Sequence, residues 1–253
     1  AMRRAYRDRA HYLGDSDFVE VPVARLTSSE HAKQLAAGID PKQATPSSSL
    51  PGYGAPDGGN DTTHFSILDK EGNYVAATLS INYPFGATFT PPGTGVLLNN
   101  EMDDFSAKPG TPNAYGLVGA EANAIAAGKR PLSSMTPTFL ETDDRLAILG
   151  TPGGSRIITM VLLGALEFAA DKPAADWVSR PRFHHQFLPD AIQFEAAALT
   201  TAQQAELKSL GHNLKAINRQ YGNMQAVLWH KTDNRIEAAS DPRGNGRADI
   251  FKH

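Results

Sequence analysis

Residues 61–81 read DTTHFSILDKEGNYVAATLSI. Segments 63–68 and 74–81 are rich in β-branched and aromatic residues, and the turn formers Asp69-Lys70-Glu71-Gly72-Asn73 separate them, so the stretch predicts a β-hairpin. Upstream, residues 41–60 shift sharply to Pro, Gly and Ser, a composition with little capacity for regular structure that predicts a linker or an accessible, mobile segment. Thr62 stands where the one gives way to the other.

Downstream of the hairpin, residues 82–131 are dominated by turn formers, with a helical turn or two expected at 120–127. A loop of that length in a compact domain is usually functional. Residues 146–149 predict a strand that runs into Gly150-Thr151-Pro152-Gly153-Gly154-Ser155 and then an apolar helix from Arg156 to about Ala170. A further helix follows Thr201, with Gln204 as its capping partner and Gly211 as its stop. A second hairpin pairs 224–230 with 235–240. Toward the N-terminus, the glycine-free stretch before Gly14 predicts an Arg-rich helix. Thr27-Ser28-Ser29-Glu30 has the pattern of a capping box for a helix stopped by Gly38. Helices bracketed by hairpins predict an α+β fold with helices layered on mainly antiparallel sheet.

The 253 residues suffice for one large domain or two small ones. Lys plus Arg number 24 against 27 Asp plus Glu, and the net charge of −3 argues against a nucleic-acid partner or a basic membrane-binding face. With no cysteine, disulfides, thiolate metal sites and a Cys nucleophile are excluded, while the redox compartment stays open. The most apolar stretch, 157–170, is too short to span a bilayer and contains Glu167, so no membrane span is expected; neither is a targeting signal.

Five constellations bear on chemistry. In Asp61-Thr62-Thr63-His64, a Thr hydroxyl becomes a nucleophile only when a base takes its proton. An N-terminal α-amine, with a pKa near ~7.7 to 8.0, is such a base, whereas an amide nitrogen is not. The site therefore requires scission of the Asp61-Thr62 bond; the competing reading is an ordinary strand start. Ser133-Ser134, after Lys129-Arg130-Pro131, offers adjacent hydroxyls to a carboxylate or is a common loop element. Gly153-Gly154-Ser155 lets backbone N–H groups approach an anion at a helix start, or is a tight strand-to-helix turn. Asn99-Asn100-Glu101-Met102-Asp103-Asp104 suits an ammonium group or Ca²⁺, or is solvated loop charge without EF-hand spacing. His184-His185 lacks metal-ligand spacing, and no metal or cofactor is expected.

In order along the chain, Thr62-Thr63-His64, the stretch from Leu97 to Ser106, Lys129-Arg130-Pro131-Leu132-Ser133-Ser134-Met135-Thr136-Pro137-Thr138, Gly153-Gly154-Ser155-Arg156-Ile157-Ile158 and Pro181-Arg182-Phe183-His184-His185-Gln186 closely resemble the gamma-glutamyltranspeptidase family of Ntn-hydrolases. The resemblance implies a four-layer αββα sandwich, partial here because most of the family's large subunit precedes residue 1. It implies 1–61 as the large-subunit tail and 62–253 as a small subunit released by autocatalytic cleavage between Asp61 and Thr62. Thr62 would then be the nucleophile toward glutathione or another γ-glutamyl amide, passing the acyl group to water or to an amino acid or peptide. Gly153 and Gly154 would supply oxyanion N–H groups, worth roughly 2.7 to 4 kcal/mol each. Ser133 and Ser134 would hold the substrate α-carboxylate, and Asn82, Glu101 and Asp104 its ammonium. Tyr115 would close a lid over the pocket. Ser80 stands where the family usually has a Thr that hydrogen-bonds the nucleophile. The resemblance also implies a heterodimer with the rest of the large subunit and a periplasmic or secreted location. A β-lactam side-chain acylase on the same scaffold and a non-catalytic binding module are the alternatives.

Overall fold

The computed structural model describes residues 1–50, 62–111, 117 and 119–251. In chain order these form helices α1 (Met2–Tyr12), α2 (Val23–Leu26), α3 (Ser29–Ala37), α4 (Ile157–Ala169), α5 (Ala174–Ser179) and α6 (Thr201–Ser209). The strands are β1 (Thr62–Leu68), β2 (Tyr74–Ser80), β3 (Thr138–Glu141), β4 (Arg145–Gly150), β5 (Phe183–His184), β6 (Ile192–Glu195), β7 (Leu214–Ile217), β8 (Gln225–His230) and β9 (Arg235–Ser240). The chain divides into two compact units, the first comprising Ala1–Gly58, Glu101–Ser133 and Phe183–Ile217, the second Gly59–Asn100, Ser134–Arg182 and Asn218–His253. These are units of packing, and neither begins or ends at Thr62.

The second unit is layered. The hairpin β1-β2 packs on β4 and β8 of a four-stranded sheet ordered β3-β4-β8-β9, and α4 and α5 contact that sheet at β4, β8 and β9. Every strand pair in these two sheets is antiparallel. β4 is buried along nearly its whole length, which explains why it reads as a continuous apolar run rather than an alternating one. Leu146 and Ile148 join Val227 in a cluster against Leu68 and Ala76 of the hairpin, while Leu149 packs where α4 carries only Gly164. α4 is apolar on most sides because it buries Ile157, Met160, Val161, Leu163 and Phe168, and Phe168 meets Trp177 of α5 edge-on at 5.8 Å.

In the first unit β5 pairs antiparallel with β6, and β6 pairs parallel with β7. A parallel pair needs a crossover, and α6 supplies it. The upstream chain is tied to this sheet region at several points. Arg3 pairs with Asp190 at 2.5 Å, Tyr6 packs edge-on against the His184 ring, and the Ser47 backbone N–H donates to the Asp190 carboxylate at 2.6 Å. Residues 41–50 are therefore less free than their composition predicts: Ser47 is buried and starts a 3₁₀ turn, Ser47–Ser49. Residues 51–61 lie outside the described residues.

The two predicted hairpins form, and the local signals shift by a residue where neighbouring hydroxyls compete. α3 is capped by Ser28, whose Oγ accepts from the His31 N–H, rather than by Thr27. α6 is capped by Thr200 with Gln203 completing the capping box, one residue ahead of the Thr201–Gln204 reading. At 120–127 only a 3₁₀ turn, Glu121–Asn123, forms, because the Asn123 side chain is engaged with the Asp104 carbonyl and the Leu132 N–H.

Truncating Ile148, which is fully buried between layers, removes packing on both the hairpin and β8 sides. Ile148→Ala should lower unfolding free energy by roughly 2–5 kcal/mol, read as a lower denaturant midpoint at unchanged slope.

Candidate active site

Thr62 is the first residue of β1 and sits opposite Ser80, the last residue of β2. The two hydroxyls are hydrogen-bonded at 3.0 Å, and the Ser80 Oγ also accepts from the Asn82 backbone N–H at 2.8 Å. Asn82 is buried and adopts the left-handed conformation, φ 70°, which Asn tolerates better than most residues. Its Nδ2 donates to the Asn100 carbonyl at 3.1 Å, and the Asn100 side chain accepts from the Tyr83 N–H at 3.0 Å. A short chain of polar contacts thus runs from Asn100 through Asn82 and Ser80 to the Thr62 hydroxyl.

At the far end of β4, Gly153 and Gly154 have φ of 147° and 57°. These values are open to glycine and costly to other residues, and they turn the chain from strand into the 3₁₀ turn Gly154–Arg156 that leads α4. Thr62, Ser80 and Pro152, the residue before the glycine pair, line one cavity of about 660 Å³ together with Gln220, Asn223 and Arg243.

That wall rests on a buried charge cluster that sequence reasoning did not single out. Asp241 is almost fully buried; its carboxylate accepts from Arg182, from Arg243 at 3.1 Å and from the Met224 N–H at 2.9 Å. Arg182 also donates to the Tyr221 carbonyl, and Arg243 to the carbonyls of Val178 and Arg180. A buried carboxylate with two guanidinium partners and backbone donors is satisfied, and it fixes the turn at 220–224. Arg182 lay inside a motif quoted for its resemblance; Asp241 and Arg243 carried no local signal.

The remaining expected site residues divide between the two units. Ser134 belongs to the second unit and is half-buried; Ser133, in the first, is exposed and its carbonyl accepts from Arg9 at 3.4 Å. Glu101 and Asp104, in the first unit, bound a 3₁₀ turn. Burial pushes the Asp104 carboxyl up to about 7, and the neighbouring Glu101 adds to this by like charge and by a hydrogen bond to the protonated form, against the opposing pull of Arg9. A carboxyl pair held in this way favours a proton or an incoming cation. Asp61 and Tyr115 lie outside the described residues. Among the described residues no group of three or more His, Cys, Asp or Glu side chains is placed to hold a metal ion, and no helix is long and apolar enough to cross a membrane.

The fold is that of the Ntn-hydrolases: gamma-glutamyltranspeptidase from Pseudomonas nitroreducens complexed with L-DON superposes with a TM-score of 0.69 at 45% identity, over 75% of this chain and 100% of that one. A family model for gamma-glutamyltranspeptidase matches residues 1–251. The glutathione hydrolase proenzyme of Escherichia coli (strain K12) is 45% identical over 248 residues, which are 96% of this chain and 42% of that protein. The corresponding proenzyme of Pseudomonas aeruginosa is 45% identical over 258 residues, 99% of this chain and 45% of that protein. The chain belongs to the gamma-glutamyltranspeptidase family, and it spans less than half the length of these curated relatives. Cephalosporin acylase from Bacillus halodurans, at 22% identity and a TM-score of 0.80 over 99% of this chain, shares the fold.

The raised Asp104 pKa has a stability consequence of definite sign. Between the ordinary carboxylate range and pH 7 the folded chain holds a proton at Asp104 that the unfolded chain has released, so this contribution is present at low pH and lost as pH rises through about 7. Asp104→Asn should therefore raise the melting temperature relative to the parent at pH 8, with the gain vanishing at pH 4. Paired thermal melts at the two pH values check it.

Proposed function

We propose that the complete protein transfers γ-glutamyl groups from glutathione or related amides, through a Thr62 ester, to water or to an amino acid or peptide. The observation that carries this reading is the Thr62 hydroxyl at a strand start, hydrogen-bonded to Ser80, which Asn82 in turn holds. Family membership and the glutathione hydrolase names of the relatives support it.

In the first step the Thr62 Oγ attacks the Asp61 carbonyl, and the peptide C–N bond breaks as the C–O bond forms, the hydroxyl proton ending on the departing Thr62 nitrogen. Water then hydrolyses the ester, leaving Asp61 with a carboxylate and Thr62 with a free amine. That amine, titrating near ~8, takes the hydroxyl proton during attack on the substrate amide and returns it to the leaving amine. The N–H groups of Gly153 and Gly154 stabilise the oxyanion, each for roughly 2.7 to 4 kcal/mol of barrier. Ser133 and Ser134 take the substrate carboxylate, and Asn82, Glu101 and Asp104 its ammonium. Tyr115 is assigned to the lid on the family likeness.

The partner is the remaining large-subunit polypeptide, giving a heterodimer after cleavage. The outward face of the hairpin supports this: Phe65, Ile67, Val75 and Leu79 are all exposed, on strands whose other face is packed. A periplasmic or secreted location belongs to the proposal on the family likeness. The acylase alternative draws on the shared fold, but the acidic pair Glu101 and Asp104 suits a substrate bearing an ammonium group better than a glutaryl one.

In the full-length protein, N-terminal sequencing after incubation should find a new chain beginning Thr62-Thr63-His64-Phe65. Thr62→Ala should abolish both that product and turnover of γ-glutamyl-p-nitroanilide. Faster turnover of a glutaryl-cephalosporin would favour the acylase, and a folded precursor that never cleaves would favour the non-catalytic module. Because binding an ammonium requires ionised Asp104, the donor KM should rise as pH falls below about 7, with the dependence lost in Asp104→Asn.

A further inference from the structure

His64 was quoted with the nucleophile motif but given no task by the reaction. It lies two residues after Thr62 on the same, inward face of β1, and is 5% exposed. Its Nδ1 is hydrogen-bonded with the Thr78 hydroxyl at 2.7 Å and its Nε2 with the Ser66 hydroxyl at 3.1 Å. The Ser66 hydroxyl proton is directed to the Gln225 carbonyl, 3.4 Å away, so the ring donates from Nε2 and accepts at Nδ1 from Thr78. On its remaining side the ring presses on the backbone of Gly150, where any Cβ would overlap the imidazole. Gln225 is the β8 partner of Gly150, so both contacts meet the four-stranded sheet at one register position.

We propose that His64 is a positioning residue: its imidazole, held between the Thr78 and Ser66 hydroxyls and set against the backbone of Gly150, fixes the separation between the Thr62 hydroxyl and the Gly153-Gly154 turn. The levers are short. Thr62 is two residues from the ring along β1, about 7 Å of strand, and Gly153 is three residues from Gly150. A ring of fixed volume that touches both strands there controls how the nucleophile faces the oxyanion donors. Burial pushes the imidazole down to about 4, so it stays neutral and keeps one hydrogen-bonding pattern across the range in which the Thr62 amine titrates.

The inference rests on the acyl-transfer reading above. In the full-length protein, His64→Ala, which empties the wedge, and Gly150→Ala, which displaces the ring, should each lower kcat about tenfold or more, since an ångström of misplacement can cost a hundredfold. The donor KM should hold within about threefold, because neither residue touches the proposed glutamyl-binding groups. The double variant puts a methyl into the vacated space and should turn over faster than Gly150→Ala alone, a coupling that independent structural damage does not produce. His64→Asn, which keeps a partner for Thr78, should recover much of kcat and leave both limbs of the pH profile unmoved. Additive losses in the double variant, or kcat losses accounted for by the unfolded fraction in thermal melts, overturn the proposal. If the alanine variants do not fold, Thr78→Val removes one contact at nearly constant volume and should still lower kcat severalfold. A cleaved, active parent with unaffected variants sinks the role of His64 alone, whereas a parent that neither cleaves nor turns over sinks the reaction and this inference together.

Discussion

The register of the hairpin β1-β2 governs the site. Thr62, His64, Ser66 and Leu68 share one face, with Ser80, Thr78, Ala76 and Tyr74 opposite them. Because side chains alternate along a strand, a slip of one residue would send Thr62 and His64 outward and turn Thr63, Phe65 and Ile67 inward. The pairing is pinned by Leu68 and Ala76 packing on the cluster of Leu146, Ile148 and Val227, and by polar cross-strand pairs at the other end. The apolar end of the hairpin sets the register that the polar end uses.

This division places the cost of function away from the core. On the Thr62 side of the hairpin the polar side chains are paired with one another: Thr62 with Ser80, and His64 with Thr78 and Ser66, as burial of polar groups demands. The opposing wall is held by Asp241 between Arg182 and Arg243, an arrangement that adds little net stability over an apolar core but severely penalises loss of any one partner. Asp104 is the exception. Its carboxyl is poorly solvated and crowded by Glu101, against the opposing pull of Arg9, which costs the fold stability as pH rises through about 7.

Much of this was legible in the sequence where the signal is local. The hairpin at 62–80, the strand-turn-helix through Gly153 and Gly154 and the second hairpin follow from residue type and period alone, since packing and propensity agree there. The catalytic reading needed ordered motifs, because Thr62 by spacing is an ordinary strand start. What escaped were elements made by distant partners: β5, β6 and β7 are two to four residues long and exist through pairing with one another. Ser47, in a Pro/Ser-rich stretch, is buried only because Asp190 and Phe187, some 140 residues away, accept its N–H and hydroxyl. Asp241 and Arg243 are ordinary turn residues until Arg182 and the 220–224 turn close on them.

The wall around Thr62 also bears on where the base comes from. Among the described residues lining that cavity the ionisable side chains are Arg243, a permanent cation held by Asp241 and three carbonyls, and the Tyr221 phenol, and neither a carboxylate nor an imidazole lines it. His64 is close along the chain, but both its ring nitrogens are committed to hydroxyls and its proton affinity is depressed by burial. A hydroxyl in such surroundings has no lining side chain to deprotonate it near neutral pH. In the proposed reaction the group that fits is one the intact chain does not yet possess: the α-amine of Thr62, a base of nearly neutral pKa that would appear on the proposed nucleophile itself on cutting the Asp61-Thr62 bond, so the proposed scission would also supply the chemistry.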